Sequence, residues 1–288
     1  AIKVQYPGVA DSIDADVDNV ASLLRMSNLL PSTLDIAPLL IEAKRQLHEE
    51  ADYTREAEQM QRYRQLLDGE SDFIVPSPYP ELSGKRVLAM DFIAGQSIET
   101  LETASQDVRD STMAALLDLV LRELFEFGFM QTDPNFANYR WQPESGRIVL
   151  LDFGAARAVP EKTVASYRRL MLAGLAQDHD ALRDALIEIG FVSPVTLQRH
   201  RPALDGMIDI LMTHLGRPGL FDFADRSFVD RVRRHAETII ADKAAWHVPP
   251  ADTLFVQRKV SGTALLAIRM QARLPLLEMV ACKVGAGD

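Results

Sequence analysis

The stretch that most constrains this chain lies between residues 131 and 157, where two acidic turns stand on either side of an apolar run. The first turn is Asp133-Pro134-Asn135-Phe136-Ala137-Asn138, in which an Asp is followed five residues later by an Asn. The second is Asp152-Phe153-Gly154, and it follows directly on the apolar run Ile148-Val149-Leu150-Leu151. A short apolar run between turn signals predicts a buried strand. The sequence therefore predicts two acidic turns that flank one strand.

This order of side chains is typical of the catalytic half of a protein-kinase-like site. Phosphoryl transfer needs one carboxylate near the attacking oxygen, and an Asn and a second carboxylate that hold Mg²⁺ against a triphosphate. Asp133 fits the first role, and Asn138 and Asp152 fit the second. An Asp-Pro-Asn turn alone is ordinary turn chemistry, so the interpretation depends on both turns occurring in this order. Gln131-Thr132 stands where a typical protein kinase has His-Arg, which argues against an ordinary Ser/Thr or Tyr kinase.

Composition places the chain among globular proteins and argues against nucleic acid as its main partner. The 288 residues are 47% hydrophobic and carry a net charge of −10, whereas nucleic-acid binding needs clustered cations. The local cluster of Arg231, Arg233, Arg234 and His235 is better explained as the solvated face of a helix. The single cysteine, Cys282, excludes an intrachain disulfide and favours a reducing compartment. No apolar run reaches the roughly eighteen residues of a membrane span.

The chain begins inside a pattern, with Ala1-Ile2-Lys3 at a predicted strand, so we expect that a portion upstream of Ala1 is missing. An Ala-Ile-Lys at a strand matches the kinase Lys that contacts the α- and β-phosphates, which makes Lys3 a candidate. We predict an α+β, two-lobed, protein-kinase-like fold. Residues 1–93 would form a partial N-lobe with a small β-structure and helical insertions, and residues 94–288 a mostly helical C-lobe.

Apolar spacing predicts a helix over residues 11–30, a break at Pro31-Ser32-Thr33 and one long helix over residues 34–67. Asp52 and Glu56 are four residues apart on that long helix and would share a face. Glu50 would reach the same site only where the helix bends or breaks. A strand over residues 86–93 would lead to the hinge between the lobes. A strongly apolar helix over residues 107–129 would deliver the chain to Asp133.

Four segments of the chain resemble the UbiB family of aarF-domain atypical kinase-like proteins, which support coenzyme Q biosynthesis. They are Lys3-Val4-Gln5-Tyr6-Pro7-Gly8-Val9, Glu50-Ala51-Asp52-Tyr53-Thr54-Arg55-Glu56-Ala57, the run of residues 124–135 (LFEFGFMQTDPN) and Leu150-Leu151-Asp152-Phe153-Gly154-Ala155. The similarity runs from Lys3 to about Met279. This combination is far more specific than any one of its motifs.

The resemblance implies roles for individual residues. Lys3 would be the nucleotide-binding Lys, and Glu56 its partner on the helix that kinases call the C-helix. Glu50 and Asp52 would form the Glu-x-Asp motif of the family, and Asp91 and Ile93 would fall where the hinge backbone meets adenine. Asp133, Asn138 and Asp152 would serve catalysis and Mg²⁺. The family also has an N-terminal extension with a Lys-x-Gly-Gln motif and an Ala-rich nucleotide loop, both upstream of Lys3.

The implied function is that of an atypical kinase-like ATPase, which binds and hydrolyses ATP with Mg²⁺ in support of ubiquinone biosynthesis. Implied partners are quinone-pathway enzymes and lipid or quinone precursors, with no nucleic acid. The implied location is the cytoplasm or the mitochondrial matrix side, peripheral to the inner membrane.

Three alternatives stay open at this point. One is a small-molecule kinase of the aminoglycoside or choline type, which shares the Asp-to-Asn spacing. Another is a protein kinase, although no Ala-Pro-Glu follows Gly154. The third is a nucleotide-gated scaffold that gathers quinone-pathway enzymes.

Overall fold

The computed structural model describes residues 1–27 and 34–285. The end of the first predicted helix and its break at Pro31-Ser32-Thr33 lie outside these described residues. The helices within them are α1 (Val9–Met26), α2 (Ala37–Glu50), α3 (Tyr53–Leu66), α4 (Gln106–Phe125), α5 (Glu161–Leu175), α6 (His179–Ile189), α7 (Pro194–Leu215), α8 (Val229–Ile240), α9 (Ala251–Arg269) and α10 (Leu276–Val284).

The strands are short and form small sheets. They are β1 (Ile2–Val4), β2 (Phe73–Ile74), β3 (Val87–Ala89), β4 (Gln96–Ser97), β5 (Phe129–Gln131), β6 (Tyr139–Gln142), β7 (Arg147–Leu150), β8 (Ala156–Ala158), β9 (Phe221–Asp222) and β10 (Arg273–Leu274). The largest sheet has the order β2-β7-β6-β4, and β1 pairs antiparallel with β3. The β6–β7 hairpin has Tyr139 opposite Leu150, so its open end leads to both acidic turns.

The long helix predicted over residues 34–67 was wrong, because the chain breaks at Ala51-Asp52 into α2 and α3. Asp52 has extended backbone angles and its carboxylate accepts from the N–H groups of Thr54 and Arg55, which makes it the N-cap of α3. An Asp side chain that satisfies the first N–H groups of a helix starts a new helix at that point. The break is therefore encoded by Asp52.

Other predicted elements differ in their bounds. The strand predicted over residues 86–93 is limited to β3, and the helix predicted over residues 107–129 ends at Phe125, with Phe129 already in β5. In α7 the backbone of His200 is non-helical, two residues before Pro202. A proline inside a helix removes a hydrogen bond and clashes with the preceding turn, which explains the kink.

The chain divides into two compact units. The first comprises residues 1–27, 36–105 and 129–157, and it contains every residue that we single out as a site candidate. Its core includes Tyr63, which packs at 5.3 Å between ring centroids against Phe129 and at 4.9 Å against Phe153. All three rings are almost fully buried. This aromatic cluster joins α3, β5 and the segment after Asp152.

The second unit is almost entirely helical and comprises residues 34–35, 106–128 and 158–285. Its core is built on α4 and α9, whose buried residues include Leu119, Leu124 and Leu266. Within that core Lys259 Nζ lies 3.5 Å from Glu123 Oε2, so a buried ammonium is compensated by a buried carboxylate. The division into lobes after residue 93 stays a prediction.

None of the helices in the described ranges, 1–27 and 34–285, combines the length and the apolar character needed to cross a bilayer.

Candidate functional site

The site is centred on Lys3, which lies on β1 and meets two carboxylates from distant parts of the chain. Its Nζ lies 2.8 Å from Glu56 Oε2 and 2.9 Å from Glu56 Oε1, and 3.2 Å from Asp152 Oδ2. The ammonium also lies 5.0 Å from the ring centre of Tyr53. Lys3 is thus held in place by contacts with α3 and with the segment after β7.

These three charged groups alter one another's pKa values. The Glu56 side chain is fully buried, and this burial, together with the charge of Asp152, raises the pKa of Glu56 above its ordinary value. Burial alone would lower the pKa of Lys3, but the charges of Asp152 and Glu56 outweigh it and the pKa is raised. Two carboxylates share a single ammonium, so the cluster has a net negative charge when all three groups are ionised.

Glu50, the last residue of α2, lies next to the turn that follows Asp152. A Cβ placed on Gly154 would lie 3.7 Å from Glu56 Oε2 and 3.8 Å from the Cα of Glu50, so both residues border Gly154. The Glu50 carboxylate accepts from Gln46 Nε2 at 2.8 Å. Asp52, in contrast, uses its carboxylate to cap α3. In the Glu-x-Asp motif, the backbone of Glu50 therefore borders Gly154, and Asp52 fixes the start of α3.

Asp133 and Asn138 contact each other directly, because Asn138 Nδ2 donates to Asp133 Oδ2 at 2.8 Å. The intervening residues form a 3₁₀ turn, Phe136–Asn138, that Asn135 caps. The backbone N–H of Leu151 donates to the carbonyl of Asn138 at 3.0 Å and extends the β6–β7 hairpin by one pair. Asn138 thus lies opposite the residue that precedes Asp152, which brings the two acidic turns together.

The two predicted hinge residues follow β3. The Asp91 carboxylate accepts from the backbone N–H of Ser77 at 2.9 Å and from the Tyr79 hydroxyl at 2.5 Å, and the bond from Tyr79 lowers its pKa. The N–H of Asp91 donates to the Ser77 carbonyl at 2.9 Å. Ile93 lies in an irregular segment two residues further on. The side chain of Asp91 therefore fixes the local backbone.

Sequence reasoning missed three further side chains around the Asp152 segment: Arg55, Thr132 and Arg157. The Arg157 guanidinium is nearly buried and donates to Glu42 Oε1 at 2.9 Å, with Glu49 Oε2 at 3.6 Å. Arg55 and Thr132 bind backbone carbonyls of the same segment. In the sequence, Arg55 is marked only by its position next to Glu56, and Thr132 only by standing where protein kinases have an Arg.

The donor set of the site is small. Within residues 1–27 and 34–285 there is no group of three or more His, Cys, Asp or Glu side chains that could hold a metal ion by themselves. A kinase-type metal site has one Asp and one Asn and takes its other ligands from the nucleotide and water. The chemistry of Asp152 and Asn138, one carboxylate and one amide oxygen, fits such a site.

A family model described as the ABC1 atypical kinase-like domain matches residues 1–186. Among curated proteins, the zebrafish (Danio rerio) protein named atypical kinase COQ8B, mitochondrial, is 34% identical over 273 residues, which cover 95% of this chain and 43% of that protein. The protein of Saccharomyces cerevisiae named atypical kinase COQ8, mitochondrial, is 33% identical over 277 residues, which cover 94% of this chain and 54% of that protein. The chain spans about half the length of these relatives.

A solved structure of Rv3197 in complex with erythromycin, from Mycobacterium tuberculosis, has the same fold. It matches with a TM-score of 0.72 at 19% identity, and the match covers 97% of this chain and 70% of that chain. Together with the family match, this likeness confirms the predicted α+β kinase-like fold class.

Proposed function

Because the chain belongs to the ABC1 atypical kinase-like family, we propose that it is an atypical kinase-like enzyme that binds Mg-ATP and hydrolyses it. The observation that carries this proposal is the contact of Lys3 Nζ with both Glu56 and Asp152. In kinases the corresponding Lys is oriented by a Glu of the C-helix, and the Asp of Asp-Phe-Gly holds Mg²⁺. The described geometry supports the same division of roles here.

Lys3 would bind phosphate oxygens of the nucleotide, and Glu56 would fix the direction of the ammonium. Glu56 is suited to this because it is fully buried at the start of α3 and contacts Lys3 through both carboxylate oxygens. A charge-assisted contact of this kind is short and directional. When phosphates arrive, their negative charge would compete with Asp152 for the Lys3 ammonium and leave Asp152 to a metal ion.

Asn138 and Asp152 would hold Mg²⁺, which binds oxygen ligands and keeps part of its shell for phosphates and water. Both residues offer hard oxygen donors, and the bond between the backbones of Leu151 and Asn138 keeps them at the same end of the hairpin. The bound metal would neutralise negative charge on the transferring phosphate. The Asn138 side chain donates to Asp133 through its NH₂ group, and its carbonyl oxygen would be the ligand offered to the metal.

Asp133 would position the attacking oxygen and accept its proton. Its contact with Asn138 Nδ2 at 2.8 Å fixes one carboxylate oxygen. With water as the nucleophile the products are ADP and inorganic phosphate, and the γ-phosphoryl passes to the water oxygen while the bond to the β-phosphate breaks. The adenine would contact the backbone carbonyl of Asp91 and the backbone N–H of Ile93, as the hinge does in kinases.

The biological role that we propose is support of ubiquinone biosynthesis, in keeping with the resemblance to the UbiB family and with the names of the COQ8 relatives. Quinone-pathway enzymes and lipid or quinone precursors are the proposed partners, and peripheral association with a membrane is part of this proposal. The relatives named above are mitochondrial by name, and for this chain we propose the matrix side of the inner membrane or a cytoplasmic equivalent.

The test is phosphate release from ATP by the wild-type protein and by Asp152→Asn, with Asp68→Asn as the matched control. Asp68 is an exposed acid just after α3. We expect Asp152→Asn to lower turnover at least about 100-fold, the usual effect of removing an electrostatic contact to a transition state, and Asp68→Asn to leave it unchanged. Unchanged turnover in Asp152→Asn would remove the metal assignment. Transfer of label to a protein or to a small alcohol would favour a phosphotransferase over an ATPase.

A further inference from the structure

Three consecutive carbonyls after Phe153 are all bound by side chains from elsewhere in the same unit. Arg55 Nη1 donates to the Gly154 carbonyl at 2.8 Å, and Arg55 Nη2 donates to the Ala156 carbonyl at 2.6 Å. The carbonyl between them, that of Ala155, accepts from the Thr132 hydroxyl at 2.9 Å and from the Thr132 backbone N–H at 3.4 Å. We call these the 154–156 carbonyls.

The two residues that bind the 154–156 carbonyls are immediate neighbours of proposed site residues. Arg55 precedes Glu56 on α3, and Thr132 precedes Asp133 after β5. The bound segment acts on Asp152 as well, because the N–H of Gly154 donates to Asp152 Oδ1 at 3.0 Å. Gly154 therefore accepts a hydrogen bond from Arg55 at its carbonyl and donates one to the Asp152 carboxylate through its N–H.

From this arrangement we propose that Arg55 and Thr132 are positioning residues, which bind the 154–156 carbonyls and so hold Asp152, Asp133 and Glu56 in one fixed geometry. The proposal deepens the proposed function and rests on it for its catalytic consequence. Its structural part, the fixing of the segment after Asp152, stands on the contacts alone.

The residue types suit this task. Arg carries five N–H donors in a rigid fork and can serve two carbonyls at once, whereas the ammonium of Lys is a compact point charge. The Arg55 charge is balanced by Glu49 Oε2 at 3.6 Å. Thr132 is almost fully buried, so its hydroxyl must find an acceptor, and the Ala155 carbonyl supplies it.

The binding of the 154–156 carbonyls by Arg55 and Thr132 also explains how the site can do without the Arg that protein kinases have before the catalytic Asp. In many protein kinases the segment after Asp-Phe-Gly is ordered by phosphorylation, through new contacts to Arg. Here neutral backbone carbonyls are bound directly by Arg55 and Thr132, and Arg157, just beyond them, is paired with Glu42. This ordering needs no added phosphate.

The first part of the test is hydrogen exchange of the peptide over residues 150–158 in the nucleotide-free protein. The variants are Arg55→Met and Thr132→Val, each with a matched control. Arg62→Met removes a guanidinium from the same helix, where it lies 3.9 Å from the ring centre of Phe129 and contacts none of the three carbonyls. Thr132→Ser keeps the hydroxyl. We expect faster exchange in Arg55→Met and Thr132→Val, and wild-type exchange in Arg62→Met and Thr132→Ser.

The second part is the Mg²⁺ dependence of phosphate release in the same four variants. Partners that orient metal ligands typically contribute about 10- to 100-fold to metal affinity or activity. We therefore expect Arg55→Met and Thr132→Val to raise the half-saturating Mg²⁺ concentration and to lower kcat by about 10-fold or more, with the KM for ATP changed by less than about two-fold. In Thr132→Ser, the half-saturating Mg²⁺ concentration and kcat should both match those of the wild type.

The outcomes separate this inference from the proposed function. Unchanged exchange over residues 150–158 in Arg55→Met and Thr132→Val would overturn the inference, whatever the activity. Faster exchange in these two variants, together with no phosphate release by the wild type, would support the positioning role of Arg55 and Thr132 and contradict the proposed function. If Arg55→Met failed to fold, Thr132→Val against Thr132→Ser would decide the question by itself.

Discussion

Lys3 and Asp152 are 149 positions apart in the chain, and their charged groups lie 3.2 Å from each other. The fully buried carboxylate of Glu56 contacts the same ammonium at 2.8 Å. A buried carboxylate is costly unless a cation compensates it, and Lys3 supplies that cation to Glu56. The contact therefore links the stability of the first unit to the group that we propose as the phosphate ligand.

Replacement of Lys3 should affect stability as well as activity. Lys3→Met leaves the buried Glu56 without its cation, and we expect a loss of about 3 kcal/mol in the free energy of unfolding, the usual cost of breaking a buried pair. The double variant Lys3→Met with Glu56→Gln should recover part of this loss, since no charge then stays buried. Urea unfolding measures both values, and Lys85→Met, on an exposed side chain, is the control. Equal destabilisation of the single and double variants would contradict the pairing.

The pKa of Glu56 should depend on Asp152. Burial and the charge of Asp152 both raise it above the ordinary value of 4.5, so Asp152→Asn should lower it. Between 4.5 and the raised value the folded state holds more protons than the unfolded state, and stability falls as the pH rises through that window. In Asp152→Asn this pH range should be narrower, because the pKa of Glu56 lies closer to 4.5. Carboxyl ¹³C titration by NMR checks the direction, and an unchanged or higher pKa of Glu56 in the variant would be evidence against the cluster.

Asp52 should act on stability through its position at the start of α3. Asp52→Ala removes the acceptor for two N–H groups, and we expect a loss of about 1 kcal/mol in the free energy of unfolding. Asp52→Asn and Asp52→Ser should keep most of the stability, because Asn and Ser also cap helices. Glu58→Ala, at an exposed position of α3, is the control. Thermal or urea unfolding measures these free energies. If Asp52→Asn lost as much unfolding free energy as Asp52→Ala, the charge of Asp52 would matter more than its role as a cap.

Local spacing in the sequence predicted much of the site. The Asp133-to-Asn138 interval and the strand before Asp152 are short-range patterns, and the structure places them at one end of a hairpin. The pairing of Lys3 with Glu56 depended on the family resemblance, since no local pattern can show which Glu meets a Lys 53 positions away. The fold class was predicted from the kinase-like order of Lys3 and the two acidic turns, and it is confirmed.

The sequence analysis did not predict one local cap, which the apolar periodicity masked, and several contacts that arise only on folding. The periodicity of residues 34–67 is continuous, and only the capping role of Asp52 ends α2 and starts α3. Arg55 and Arg157 resemble ordinary surface cations in the sequence, and their roles depend on carbonyls and carboxylates brought near by folding. A side chain that binds the backbone leaves no pattern in the partner, because every residue has a carbonyl.

The measurement that tests the central claim most directly is the melting temperature of the protein as Mg-ATP is added, compared with ATP in EDTA and with the Asp152→Asn variant. A ligand that binds only the folded state stabilises it, by about 2.7 kcal/mol at a concentration 100-fold above Kd, which for a protein of this size raises Tm by roughly 5 °C. We predict a saturable rise with Mg-ATP that is reduced in EDTA and in Asp152→Asn. An absence of any shift with Mg-ATP, or an equal shift in wild type and Asp152→Asn, would contradict the nucleotide site built on Lys3, Glu56 and Asp152.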